Sequence, residues 1–144
     1  MFLGQFVHAI DDKGRLTIPA GFRGLLDDGA YITQGFDPNL MVLTYPSFQT
    51  LYDRVNKLSM TDPKARDLKR LIFANAAEVK LDNAGRILIP QFLREVASLD
   101  NNALVVGVGK HFEIWSPGLW SQETQTLHDP AANAERFIDL DLPL

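Results

Sequence analysis

Two short segments carry the residues best suited to chemistry: Asp11-Asp12-Lys13-Gly14-Arg15 and Asp82-Asn83-Ala84-Gly85-Arg86. Each has the form of a type I turn followed by a residue of positive φ, the position that glycine fills best. With a three-residue loop, Asp11 lies across the hairpin from Arg15 and Asp82 from Arg86, so that a carboxylate holds each guanidinium. An exposed pair of this kind contributes only about 0.2–1 kcal/mol, so its expected use is to aim the arginine. An aimed guanidinium can donate two bonds to guanine O6 and N7, and the major groove of B-DNA admits a two-stranded ribbon. Lys13 suits a phosphate, and the Asn83 amide offers a donor and an acceptor for adenine or for a backbone group. A plain surface turn is the commoner use of such a hairpin, and turn chemistry alone leaves both readings open.

Enzyme chemistry has no comparable foothold. His8, His111 and His128 show no metal-ligand spacing, and there is no H-E-x-x-H, G-x-S-x-G or phosphate-loop pattern. Asp11 and Asp12 are adjacent strand residues pointing to opposite faces, which is not an acid dyad. The chain holds no Cys, so a disulfide or thiolate metal site is excluded. No catalytic residue, metal, cofactor or small-molecule substrate is expected.

The elements that position the two loops are copies of one unit. The segment FVHAIDDKGRLTIPAGFRGLL from Phe6 aligns with AEVKLDNAGRILIPQFLREVA from Ala77, pairing Gly14 with Gly85, Arg15 with Arg86, Pro19 with Pro90 and Arg23 with Arg94. The match continues more loosely and brings Pro46 onto Pro117. Each unit reads as strand, turn, strand, short helix, strand, strand, helix. Period-2 alternation puts Phe6, His8 and Ile10 on the core face, and Ala77, Val79 and Leu81 in the second copy. His8 is thus expected as a structural histidine, and Trp115 and Trp120 as core or interface aromatics. Pro19, Pro90, Pro46 and Pro117 open helices, where a missing N–H costs nothing.

Between the repeats, residues 46–58 have helical spacing, and Thr61-Asp62-Pro63 restarts a helix reaching about Ala76. Arg66, Lys69, Arg70 and Phe73 share one side of it, as a solvated face or a supporting phosphate contact. The units are therefore 1–76, 77–128 and a tail, 129–144. The tail alternates acidic and apolar residues near its end and is expected to dock on the body or on a neighbouring subunit, for instance as an edge strand, or else to stay mobile.

Composition fits this reading with one tension. A chain of 144 residues that is 46% hydrophobic can bury one core. No apolar run approaches the roughly 18 residues of a membrane span, and Met1-Phe2-Leu3-Gly4-Gln5 does not resemble a secretory leader, so a soluble cytoplasmic protein is expected. Net charge is −4, whereas single DNA-binding modules are typically basic. The tail holds Asp129, Glu135, Asp139 and Asp141 against Arg136, which leaves the body near neutral. With few basic loops per subunit, useful DNA affinity requires many subunits acting together.

MFLGQF, the DDKGRLTIPAGFR run and its second copy LDNAGRILIPQFLR resemble the MraZ family, a branch of the SpoVT/AbrB-like swapped-hairpin proteins. The resemblance covers nearly the whole chain. It implies an α+β fold of two tandem swapped-hairpin, AbrB-like β-barrel half-units forming a pseudo-dimer within one chain, with flanking helices. It also implies a cytoplasmic, nucleoid-associated regulator that binds short direct repeats in double-stranded promoter DNA upstream of the division and cell-wall gene cluster, as a ring-shaped homo-oligomer. The DNA-contacting positions carried over are Asp11, Lys13, Gly14 and Arg15, with Asp82, Asn83, Gly85 and Arg86. Asn83-Ala84 makes the second loop less basic than Asp12-Lys13 makes the first, so unequal contributions are expected. The competing readings are an antitoxin-like swapped-hairpin module that holds a toxin through its tail, and a structural ring without DNA binding.

Overall fold

Leu16 and Ile87 come from different copies of the repeat, face one another across a strand pair, and are 0% and 1% exposed. The computed structural model describes residues 1–143; Leu144, the end of the expected tail, lies outside the described residues. The first unit contains β1 (Phe2–Ala9), β2 (Arg15–Thr17), α1 (Ala20–Arg23), β3 (Ala30–Gln34), β4 (Leu40–Thr44) and α2 (Tyr45–Asn56). After the connector α3 (Pro63–Phe73) come β5 (Ala77–Val79), β6 (Arg86–Leu88), α4 (Gln91–Val96), β7 (Asn102–Gly109), β8 (His111–Trp115) and α5 (Pro117–Glu123), then α6 (Pro130–Arg136). The mixed α+β class and the twofold repetition of elements match the sequence reading.

The two copies interleave. Six strands form one antiparallel sheet in the order β1-β7-β8-β4-β3-β5, and β2 pairs with β6 in a separate ribbon. Read from either edge, the sheet gives the first strand of one copy and then the hairpin of the other. β1 pairs with β7 and β5 with β3, while Leu40↔Ile114 and Val42↔Phe112 mirror one another across the centre. After its turn, β2 meets its own first strand only at the Ile10↔Leu16 bridge and then runs beside β6. Main-chain bonds from Ile18 N–H to the Gly85 carbonyl and from Ile89 N–H to the Gly14 carbonyl, each 2.9 Å, extend the exchange.

The core lies between ribbon and sheet. Leu16, Ile18, Ile87 and Ile89 pack toward Ile32, Val42, Phe112 and Ile114, and Phe22 of α1 and Leu93 of α4 close the sides. Each such buried side chain stabilises the fold by about 1.5–3 kcal/mol. On the other sheet face, α5 brings Leu119 and Trp120 against Leu104, Val106 and buried Trp115, the two indoles edge to face at 5.4 Å.

The sense of the β1 alternation is right, but its depth is less than expected. Ile10 is buried, whereas His8 is half-buried and Phe6 remains 37% exposed while its ring edge meets Phe22. β1 is an edge strand, so its core-facing side lies at the rim of the core. In the second copy Val79 is buried, and Ala77 and Leu81 are half-buried.

The prolines sit where the sequence puts them. Pro19 and Pro90 cap α1 and α4; Pro46 and Pro117 lie in the first turns of α2 and α5, where the Thr44 and Ser116 hydroxyls accept from the Ser47 and Leu119 N–H groups. On α3, Arg66 donates to the Met60 carbonyl and Arg70 pairs with Asp67, so both cations are engaged locally.

The tail does not form an edge strand. It opens with α6, because the Asp129 carboxylate accepts from the Ala131 and Ala132 N–H groups and Pro130 supplies the first turn. α6 rests on the short 3₁₀ turn Gln125–His128 through bonds from Asn133 to the Leu127 carbonyl and from Arg136 to Thr126. Among the described residues, no helix is long and apolar enough to cross a membrane.

Candidate nucleic-acid interface

Each loop is built by its own aspartate. The Gly14 N–H donates to the Asp11 carbonyl at 3.0 Å and the Asp11 N–H to the Arg15 carbonyl at 3.0 Å, closing a type I turn with Gly14 at φ +86°. Asp11 Oδ1 accepts from the Lys13 and Arg15 N–H groups, and Oδ2 accepts from Arg15 Nε at 2.6 Å. The second loop repeats this. Asp82 Oδ1 accepts from the Ala84 and Arg86 N–H groups, Oδ2 accepts from Arg86 Nε at 2.9 Å, and Gly85 has φ +75°. The expected opposition of aspartate and arginine across each turn is present in both copies.

This hydrogen bonding sets the electrostatics. The Arg15 backbone N–H, then its side chain and the Lys13 N–H, hold the Asp11 carboxyl below its ordinary 3.8, against a smaller opposing effect of burial. Asp82 is lowered in the same way, chiefly by the Arg86 backbone N–H. Both carboxylates are therefore ionised wherever nucleic acid binding is relevant.

Because β2 and β6 are neighbours, the two loops share one end of the molecule. Arg86 Nη1 reaches to 3.5 Å from Asp11 Oδ2, linking the loops directly. Arg15 engages carboxylate only through Nε and keeps both Nη groups unpaired among the described residues, whereas Arg86 has one Nη near Asp11. Lys13 and Asn83 are exposed at the apices, and their side chains have no protein partner among the described residues.

Two further arginines join this end, and the sequence reading gave them no role. Arg23 Nε donates to the Ile18 carbonyl at 2.9 Å and Arg94 Nε to the Ile89 carbonyl at 3.1 Å. Each guanidinium lies over the glycine of the other copy's loop. A Cβ at Gly14 would come within 2.7 Å of Arg94, and one at Gly85 would collide with Arg23. Glycine is thus required twice over, by its φ and by the cation above it. The matched pair Arg23 and Arg94 in the repeat was the available signal, but their crossing to the opposite loop follows from strand exchange. Together with these, the loops hold five cations, Lys13, Arg15, Arg23, Arg86 and Arg94, against Asp11, Asp12 and Asp82. A locally positive tip therefore stands on a chain of net charge −4.

Such a tip offers aimed guanidinium donors with flanking cations, a set that matches base edges and phosphates. Among the described residues no cluster of His, Asp and Glu could hold a metal ion. Burial lowers the pKa of His111, and the charge of nearby Glu113 opposes the shift.

The arrangement defines an α+β protein of two interleaved copies of one unit, presenting paired arginine loops at a single end. The chain belongs to the MraZ family: the profile described as "MraZ protein, putative antitoxin-like" matches residues 1–71 and again 72–141. It is similar to proteins named "Transcriptional regulator MraZ" from Roseiflexus castenholzii, 46% identical over 95% of this chain and 94% of the relative. The Thermomicrobium roseum relative of that name is 47% identical over 88% and 89%, and the Desulfitobacterium hafniense relative 41% over 97% and 99%.

Proposed function

We propose that this chain is a DNA-binding transcription regulator, not an enzyme, that reads promoter DNA with the loops Asp11 to Arg15 and Asp82 to Arg86. The observation that carries the reading is the convergence of both arginine loops on one tip, each guanidinium held by a carboxylate that its own backbone turn fixes. The relatives' printed name agrees with it. The pairing of β1 with β7, β5 with β3 and β2 with β6 supports assignment to the swapped-hairpin class, with the pseudo-dimer supplied by one chain.

In this reading Arg15 and Arg86 donate to guanine edges, Lys13, Arg23 and Arg94 face phosphates, and Asn83 meets adenine or backbone. A single tip neutralises few phosphates, so the protein works as a ring-shaped homo-oligomer on short direct repeats, in the cytoplasm and at the nucleoid. Its target is the promoter of the division and cell-wall gene cluster. The deciding experiment is a gel shift of the full chain on the DNA upstream of its own gene, with scrambled DNA of equal length as competitor. Saturable retardation that scrambled DNA fails to compete supports the reading; equal competition removes sequence-specific regulation.

A further inference from the structure

One groove and one segment of this chain are left unmatched by that reading. The groove, of about 680 Å³, runs between α2 and the β7–β8 turn. Its apolar floor is Leu43, Pro46 and Leu51, and Arg54, Lys110 and His111 stand around it. Its size falls within the roughly 300–1,000 Å³ of clefts that seat a ligand-sized group. Neither Arg54 nor Lys110 has a carboxylate partner among the described residues. The segment is the end of the chain beyond α6, where Ile138, Leu140 and Leu142 are 75%, 62% and 59% exposed and alternate with Asp139 and Asp141. Neither of these acids has a cationic partner among the described residues.

We infer that residues 137–142 of one copy dock in this groove on a second copy. The aliphatic side chains lie on Leu43, Pro46 and Leu51, and the two carboxylates meet Arg54 and Lys110. Apolar matches apolar and acid matches base along the same short stretch, which is the complementarity a specific contact uses.

The local twofold sharpens the argument. By strand register, the positions corresponding to Lys110 and His111 in the first half are Pro38 and Asn39, and counting from the helix caps Thr44 and Ser116 the counterpart of Arg54 is Thr126, in the 3₁₀ turn after α5. The basic groove therefore exists once per chain, as does the tail. One donor and one acceptor on every subunit make a head-to-tail contact, which propagates and closes when the rotation permits. The inference rests on the proposed self-association and names the contact that builds it.

The test uses the full chain beside two variants, one ending at Arg136 and one carrying Arg54→Glu with Lys110→Glu. Mass is measured by analytical ultracentrifugation, with circular dichroism and Tm as controls of folding. Each variant alone is expected to fall from the multi-subunit species to a single chain, the full-length groove variant to about the 16.1 kDa of one subunit and the truncated one to slightly less. Mixed in equal amounts, they are expected to form a heterodimer and nothing larger, since one keeps the groove and the other the tail. Adding Asp139→Lys and Asp141→Lys to the groove variant is expected to restore the assembly, which keeps the inference falsifiable even if truncation harms folding. Wild-type assembly by either variant overturns the contact. Monomeric variants that fail to pair on mixing place the tail in its own chain's groove and also overturn it. A monomeric wild type refutes the oligomer itself, a different result from an oligomer indifferent to the tail.

Discussion

Asp11 Oδ2 accepts the Arg15 Nε bond at 2.6 Å and stands 3.5 Å from Nη1 of Arg86, so one carboxylate orients arginines from both repeats. The two arginines differ as a result. Arg15 presents an unpaired Nη fork, and Arg86 presents a fork with one tine drawn toward Asp11.

Arg15→Ala is therefore expected to weaken operator binding more than Arg86→Ala. A lost bidentate guanine contact costs about 1–3 kcal/mol, with relaxed preference at one base pair. Arg15 should fall in the upper part of that range and Arg86 in the lower. Fluorescence anisotropy on operator DNA measures both, and unchanged Tm shows that the fold is intact. Wild-type affinity in Arg15→Ala would remove that loop from the reading interface.

Asp11→Asn keeps an oxygen for the Lys13 and Arg15 N–H groups but removes the charge that aims two guanidinium groups. Non-specific DNA binding should tighten, because one negative charge leaves the tip, while the ratio of specific to non-specific affinity falls. The slope of log K against log salt should steepen by up to about 0.9. Salt titrations on operator and scrambled DNA read both quantities; an unchanged specificity ratio argues against aiming by Asp11.

Acid should reach the tip late. Asp11 and Asp82 have folded pKa values below the ordinary 3.8, so the stability they contribute is fully present above that value and is lost as pH falls through the lowered ones. Side-chain carboxyl NMR shifts followed from pH 6 downward should show both titrating below the exposed carboxylates. Midpoints at or above 3.8 contradict the hydrogen bonding described for the turns.

Gly14→Val and Gly85→Val should disrupt the tip while sparing the core. Positive φ is poorly tolerated by a β-branched residue, and a Cβ at either site meets Arg94 or Arg23. DNA binding should be lost with circular dichroism close to native. Gly14→Ala is the milder case and should still weaken binding, because the Arg94 guanidinium must move. Native affinity in Gly14→Ala means that this clasp does not shape the interface.

Operator spacing tests the multi-tip reading. Sites about one helical turn apart, roughly 10–10.5 bp, present the same groove to successive tips. Inserting about half a turn, roughly 5 bp, between repeats should reduce affinity sharply, and a full turn should cost less. Equal binding to one repeat and to several would leave no role for linked subunits.

The turns and helices were legible in the sequence because their signals are local. Gly14, Gly85 and the four helix-opening prolines each act within a few residues, and their positions hold. Strand partnership was less legible. The alternation of Phe6, His8 and Ile10 specifies which side is covered, but not that β7 pairs with the strand or that the covering stops short of Phe6. The clasp of Arg23 on Gly85 and Arg94 on Gly14 depends on that partnership, so it was hidden for the same reason. At the tail only the edge-strand form fails: the Asp129-Pro130 cap and the alanines behind it start a helix, and Ile138–Leu140 turn as 3₁₀ rather than extend.

The interleaving of the two copies also governs how the chain comes into being on the ribosome. β1 waits for β7, and β2 waits for β6, so the first half has no complete partner set until synthesis passes about residue 109. At roughly 5–20 residues per second, the stretch from the end of β2 to the end of β7 takes on the order of 5–20 s. During that interval Leu16, Ile18 and Phe22 emerge without their cover, and the nascent first half is open to pairing with the same half of a neighbouring nascent chain. Such a pair would be a homodimer built from one repeat, and the long-range pairing that defines the mature fold makes closure within one chain a late, high-contact-order step.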